Sequence, residues 1–495
     1  MTIGTLVLNI GIAALIITFI TGFVFKGHKS WLMTFLQNFT GVLFVFSGWV
    51  KAIDPLGTAY KMEQYFAEFY STFEATWFSF LAPIFPLMAE FSIAFSVFMI
   101  VFEIVLGIML LLGSKPKVTA WAFLLLVVFF TFLTGFTFLT GYVPPGGSFF
   151  NFSSWAAYDA NNMKVTDCGC FGDFIKLEPR ISFYKDLVLL VPSFYFVFRH
   201  KDMHQLFTNK IRNTILILST IGLILYCFNN YMWNLPHIDF RPFKKGADVA
   251  AQYNAEIDAM SSVQIIGWKL ENLKDGKVVE LSSDVYYKEL DKYPKSEWKV
   301  IDQVKTEPTV KKTKISDFTI EHVDGYEAYD AYLENKGYRL MIVAHKMYAD
   351  ATTKNVVRMD TVMRNDTVQI EGSDLDFIKK VPIVNEVQEM VTTYNWQKDY
   401  LEKYTRKVVP FVKAALNDGV SAGMVAGQSS PDMLRDFAKV TAMGIDYYTA
   451  DDILLKTIIR SNPGVVLWKD GTIIDKWHIS KLPEWPKVVS IHGIK

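Results

Sequence analysis

Cysteine is scarce in this chain, with three among 495 residues, so no disulfide framework holds it together. Two of the three, Cys168 and Cys170, are one residue apart; the third is Cys227, and none follows it. An excess of either charge is missing as well. Fifty Lys and Arg balance fifty Asp and Glu, which leaves no basic bias for nucleic acid, and none is expected as a partner. There is no basic region ahead of the first apolar run: Met1-Thr2-Ile3 leads straight into it, and Thr18 to Gly22 makes a poor cleavage site. The first apolar segment is therefore expected to stay in the membrane. No metal site is expected.

What the chain does have is apolar length. It is 51% hydrophobic and 15% aromatic, and nearly all the long apolar runs fall within 1–235. A spanning helix needs roughly 20 apolar residues, which predicts six spans, at 3–25, 31–50, 87–113, 118–143, 183–198 and 213–233. The fifth has a short charge-free core containing Pro192, and it spans if Lys185 and Arg199 snorkel to opposite interfaces. The first, third and fifth connections carry Lys26 and Lys29, Lys115 and Lys117, then Arg199, Lys201, Lys210 and Arg212. Short basic loops belong in the cytoplasm. The N-terminus, the Cys168–Cys170 loop and the C-terminal half then lie outside, where disulfide chemistry is expected.

Residues 60–80 are crowded with aromatic rings and predict a helix lying in the outer interface, broken by Pro83 and Pro86. A quinone or lipid pocket beneath it is the second reading; otherwise no cofactor is expected. Glu90 and Glu103 fall in the third predicted span, Glu103 near mid-bilayer. A membrane acid faces the bundle interior, either in a functional role or as a carboxyl bonded to a neighbouring helix. Lys51 and Asp54 close the second span and are expected to pair there. Cys227, in the outer part of the sixth span, reads as a packing residue or, less simply, as a resolving thiol.

The short polar loop Thr166-Asp167-Cys168-Gly169-Cys170-Phe171-Gly172-Asp173 places two thiols across one glycine, which lets the backbone turn tightly. A disulfide in so small a ring departs from relaxed geometry and is more easily reduced. Redox chemistry is one reading. A tight turn with inert thiols is the other, favoured by Asp167 and Asp173, because carboxylates oppose thiolate formation.

Two stretches resemble a known group, the DoxX and MauE-like membrane proteins. Gly41-Val42-Leu43-Phe44-Val45-Phe46-Ser47-Gly48-Trp49-Val50-Lys51-Ala52-Ile53-Asp54-Pro55 looks like the family's opening helix. Asp167-Cys168-Gly169-Cys170-Phe171-Gly172-Asp173, with Phe183-Tyr184-Lys185-Asp186, is similar to the loop of the MauE-like branch. The match covers about residues 31–200. It implies a compact four-helix membrane bundle with a redox-associated role, to which this chain adds a span at each end. Gln37-Asn38 stand where a basic residue often precedes the first motif.

Beyond residue 235 a Pro-containing linker leads into an ordinary soluble sequence. Lys274-Asp275-Gly276 predicts a hairpin between 263–268 and 277–281. From Ile315 the pattern alternates: a strand at 317–320 with a turn at Asp324-Gly325, a buried strand at 339–345, and a long helix at 385–416. A strand at 420–426, a helix at 430–441 and a hairpin about Lys469-Asp470-Gly471 follow. The order resembles a thioredoxin-like domain of the membrane-anchored TlpA type, with Pro463 at the position of the family's cis-proline. The resemblance fails at one point: after 339–345 comes Lys346-Met347-Tyr348-Ala349-Asp350, with no cysteine. His345 reads as a structural strand-end residue.

The expected fold is thus a six-span α-helical membrane bundle over 1–235, a linker and small β-rich segment over 236–315, and an α/β thioredoxin-like extracytoplasmic domain over 316–495. The expected site is Cys168 and Cys170, acting on an extracytoplasmic protein partner from a bacterial inner membrane. A non-enzymatic envelope scaffold is the competing class, and a transporter resting on Glu90 and Glu103 is a third. Reporters fused after Lys117 and Lys201 should read as cytoplasmic, and fusions after Asp173 and Gly246 as external. A cytoplasmic signal at Gly246 would remove the fifth span.

Overall fold

A computed structural model describes residues 2–74, 76–163, 165, 169–369 and 376–494; Thr166, Asp167 and Cys168 lie outside them. The chain divides into two compact units, Met1–Lys245 and Gly246–Lys495. Among the described residues six helices are long and apolar enough to cross a membrane.

In the first unit, α1 covers Ile3–Phe19 and runs on through a π-turn to Val24. Then come α2 (Trp31–Ile53), α3 (Pro55–Glu74), α4 (Ile84–Glu90), α5 (Ser92–Leu112), α6 (Pro116–Thr140), α7 (Pro179–Arg199) and α8 (Asn209–Phe228, continued to Trp233). Their starts follow local chemistry. Ser30 and Thr208 accept the backbone N–H groups of Met33 and Ile211 as N-caps of α2 and α8, and Pro116 and Pro179 open α6 and α7, where a missing N–H does no harm. Pro192 is carried inside α7 without ending it.

Two expectations fail here. The third span begins at Ser92, because Phe91 leaves helical geometry at φ −96° and ψ 16°, and the Ser92 hydroxyl donates to Glu63 Oε1 of α3 at 3.0 Å. Glu90 ends the short α4 and is exposed, so it is not an acid buried in a span; hydropathy runs smoothly across a backbone break it cannot register. Nor do Pro83 and Pro86 break the aromatic helix. That helix stops at Glu74, while Pro83 caps α4 and Pro86 sits in its first turn, where proline is tolerated. The rings of α3 pack inward as well: Tyr65 and Phe69 are buried, and Phe69 meets Phe136 of α6 at 4.8 Å between centroids.

The tightest helix contact is α2 on α5. A Cβ on Gly107 would lie 2.9 Å from Gly41 O and 2.9 Å from Val45 N, and one on Gly48 would lie 2.4 Å from Ile104 Cγ1. Small residues let the two backbones approach where lipid supplies no hydrophobic drive between helices. The spans differ in how much neighbours cover them: 61% of the apolar window of Trp31–Ile53 is buried, against 11% of that of Asn209–Trp233.

The second unit opens with α9 (Val249–Ser261) and a small antiparallel sheet, β1 (Ile265–Asn272), β2 (Val278–Ser282) and β3 (Trp298–Lys305), in the order β2-β1-β3, with α10 (Ser283–Lys288) after β2. Next come β4 (Glu321–His322), α11 (Asp330–Leu333), β5 (Tyr338–Ala344), β6 (Ala349–Gln369) and β7 (Asp376–Trp396). The chain then continues through α12 (Lys398–Lys403), α13 (Val409–Asn417), β8 (Ser421–Ala426), α14 (Pro431–Thr441), β9 (Asp446–Thr449) and α15 (Asp452–Ile458). It finishes with β10 (Gly464–Lys469), β11 (Thr472–His478) and α16 (Trp485–His492). The main sheet runs β11-β10-β5-β8-β9-β4. Strands β5, β8 and β9 are parallel, and β10, β11 and β4 antiparallel to their neighbours.

Residues Leu340 to Ala344 of β5 are buried throughout, as a strand covered on both faces requires. Leu340, Ile342 and Ala344 join Tyr404, Phe411, Phe437 and Trp485 in one cluster. On the opposite side Trp468 meets Phe318 and Tyr332 at 5.8 and 5.7 Å.

The expected helix over 385–416 begins as strand: 376–396 is β7, paired over its whole length with β6, and helix begins only at Lys398. Val, Ile and Thr dominate 381–393, and β-branched chains favour the pleated surface over the helix. Residues 317–320 are turn and irregular backbone, and the strand there is only Glu321–His322. Strands β3, β6 and β9 were not foreseen.

Replacing Gly107 with Ala should destabilise the membrane unit by about 1–3 kcal/mol, since the new methyl meets backbone that cannot move aside. Gly222→Ala, at an open position, should change thermal unfolding in detergent little and serves as the control.

Candidate functional site

Beneath the cysteine loop the membrane unit gathers its charged side chains. Lys51 near the end of α2 and Glu103 of α5 form a buried ion pair at 2.5 Å, and the Lys51 ammonium lies 5.3 Å from the ring centre of Phe130 on α6. At the start of α7, Lys185 pairs with Asp186 at 2.5 Å, and the other Asp186 oxygen accepts a hydrogen bond from Thr134 of α6 at 3.0 Å. Four helices thus contribute to two neutralised pairs, a form in which charge can be kept out of water.

The loop is fastened above them through its backbone. The Ser47 hydroxyl of α2 donates to the carbonyl of Cys170 at 2.8 Å. Gly169 and Gly172 take positive φ, +59° and +52°, a region that favours glycine, and the Gly172 N–H closes the turn on Gly169 O at 3.1 Å. Phe171, 2% exposed, plugs into the apolar core of the bundle and bridges to Ile175. Asp173 faces Lys176 at 3.7 Å.

Cys170 is half-buried with a free thiol. Burial pushes that thiol up from its ordinary value; the Lys185 and Lys51 ammonium groups oppose the rise, and Asp186 and Glu103 add to it. A raised pKa keeps Cys170 protonated near neutrality, and the thiolate is the nucleophile. Cys168 and Asp167, the other half of the expected pair, lie outside the described residues. Cys227 is fully buried among Ala52, Val97, Ile100, Val101 and Ile104, a packing environment.

The expected Lys51–Asp54 pair is replaced by Lys51–Glu103. Asp54 ends α2 and accepts the Gly57 N–H at 3.1 Å, while the Pro55 carbonyl accepts from Ser96 of α5 at 2.7 Å. Lys51 is about one turn from Asp54 but faces the interior, where Glu103 of α5 meets it. Sequence reasoning named Lys51 and Glu103 separately without joining them, though opposite charges in two neighbouring spans were the available signal. It took Lys185 for a snorkelling end of the fifth span, whereas the side chain pairs with its neighbour Asp186, and it passed over Thr134.

In the second unit the end of β5 and the turn before β10 meet. The Asn462–Pro463 peptide is cis, and the Asn462 side-chain amide donates to Lys346 O at 2.7 Å. His345 is buried there, its imidazole pushed down to about 3 by burial and by Lys456 and Arg460. It stays neutral across the physiological range, which unsuits it to acid–base work. No cysteine is present in this unit.

No family model, curated protein or solved structure matches the chain.

In a background with Cys168 and Cys227 changed to Ser, the alkylation rate of Cys170 should still climb with pH above 9.0, the ordinary thiol value. The thiolate fraction grows until pH passes the raised pKa, so a plateau below pH 9 would contradict the burial argument.

Proposed function

We propose that the chain is a membrane-embedded thiol–disulfide protein of the DoxX and MauE type, working on an extracytoplasmic partner in a bacterial inner membrane. One observation carries this reading. Ser47 and Lys51 from the first resembling stretch, and Cys170, Lys185 and Asp186 from the second, converge on one loop and the charges beneath it. Residues apart in sequence, singled out by resemblance, have a shared use here. The short basic loops support an outward-facing cysteine loop.

In the exchange, a thiolate of a reduced partner attacks the Cys168–Cys170 disulfide, forming a mixed disulfide and releasing one thiol of the loop. A second partner thiol then closes the partner's own disulfide and releases the other. Two electrons pass to the loop, and both loop sulfurs end as thiols after taking up protons. The reverse direction uses the same intermediates. With its pKa raised, Cys170 is the poorer attacking group, so in the reductive direction Cys168 attacks and Cys170 resolves.

The second unit serves recognition in this scheme. The sheet order β11-β10-β5-β8-β9, with Pro463 ahead of β10, supports a thioredoxin-like reading of it, and the lack of any cysteine there favours binding over exchange. The same lack favours the competing reading, an envelope scaffold whose cysteine loop is a structural turn.

The two readings separate on one experiment. Cys170→Ser should trap a covalent adduct with the partner on non-reducing gels, because serine cannot complete the exchange, whereas Cys168→Ser should trap none. If neither variant forms an adduct and both support normal function, the loop is structural and the scaffold reading stands.

A further inference from the structure

The longest strands of the second unit stand outside its main sheet, touching the core only at their base, where Trp396 meets Phe437 at 4.8 Å. Strands β6 and β7 pair only with each other, 21 residues against 21, in a register without a shift. A two-stranded ribbon of this kind is marginal in water on its own. Its described side chains are nonetheless apolar at many exposed positions, among them Val357 at 53%, Met359 at 62% and Met390 at 77%.

The two outer edges of the arm differ. The Gln397 N–H donates to Tyr348 O just below the first paired residues. With unbroken register, even-numbered residues of β6 then turn their backbone groups toward β7 and odd-numbered ones turn theirs outward. On β7 the even-numbered residues face outward, and one of them is Pro382, which has no N–H to offer. Proline on an outward position is a device that blunts an edge. The β6 edge has no proline along its length.

The charges on β6 are also arranged to suit a copy of themselves. Asp350, Lys354, Arg358, Asp360 and Arg364 all stand on one face. If a second β6 runs antiparallel with Val357 opposite Val357, Lys354 faces Asp360 and Asp350 faces Arg364, each pair occurring twice by symmetry. Arg358 lies opposite Val356, with the other copy's Arg358 only diagonal to it, so no like charges stand directly opposite; Thr353 lies opposite Thr361, and Val357, whose backbone groups point outward, sits on the axis. A two-fold interface requires this kind of self-complementarity.

We propose that β6 is a self-pairing edge, by which two copies of this chain join their arms antiparallel about Val357 into one four-stranded sheet. Opposite residues in hydrogen-bonded antiparallel pairs have Cα atoms about 5.5 Å apart, within disulfide reach. The full-length chain in detergent, carrying Val357→Cys, should therefore form a covalent dimer under mild oxidation. Gln388→Cys, on the outer side of β7, should not, and the unmodified chain corrects for the native cysteines. Lys354→Glu sets like charges opposite Asp360 and should raise the dimer dissociation constant about tenfold, measured by mass against concentration. Adding Asp360→Lys should restore it. A chain that stays monomeric at every concentration overturns the proposal, as does equal cross-linking at both positions or a double variant that remains weak. Cross-linking of Val357→Cys only to a different protein overturns it in favour of a foreign strand.

Discussion

The membrane unit depends on the buried pair of Lys51 and Glu103. Removing one member of such a pair strands the other away from water and typically destabilises by about 3–5 kcal/mol. The pair therefore fixes how α2 lies on α5. A slip by one helical turn, about 5.4 Å, would separate the charges and move Ile104 off the space that Gly48 leaves for it. Glycine packing and charge pairing specify the same arrangement, the one steric and the other electrostatic.

The cysteine loop inherits its position from that arrangement. Its backbone hangs from Ser47, one turn before Lys51 on the same helix, and its anchor is the ring of Phe171 in the bundle core. Two left-handed glycines make the turn narrow enough for both attachments. The thiol of Cys170 thus owes its half-buried place to backbone bonds and a neighbouring phenylalanine, and its reluctance to ionise follows from that place.

Much of this was legible in the sequence. Length and hydropathy revealed six spans, and Gly-Pro punctuation revealed the final hairpin and the helix at 430–441, because these depend on local chemistry. The boundary at Phe91 was not legible, since it is set by a hydrogen bond from Ser92 to another helix. Nor was Lys51–Glu103, because two spans far apart in sequence had to be registered against each other. Strand β7 was misread for a different reason: Val384, Val387 and Val391, spaced by three and four among Asn, Glu and Gln, fit a helical period over a short window, and its partner β6 decides otherwise.

The uneven cover of the spans has a mechanical meaning. A helix wedged among neighbours, as α2 is, keeps its inclination whatever surrounds the bundle. Helix α8, with 11% of its apolar window buried, has less packing than the other spans to oppose a change in tilt, and tilt is how a long apolar helix adapts to bilayer thickness. Lipid composition thus bears first on α8: a thicker or thinner bilayer turns that helix before it disturbs α2, α5 and the charges between them.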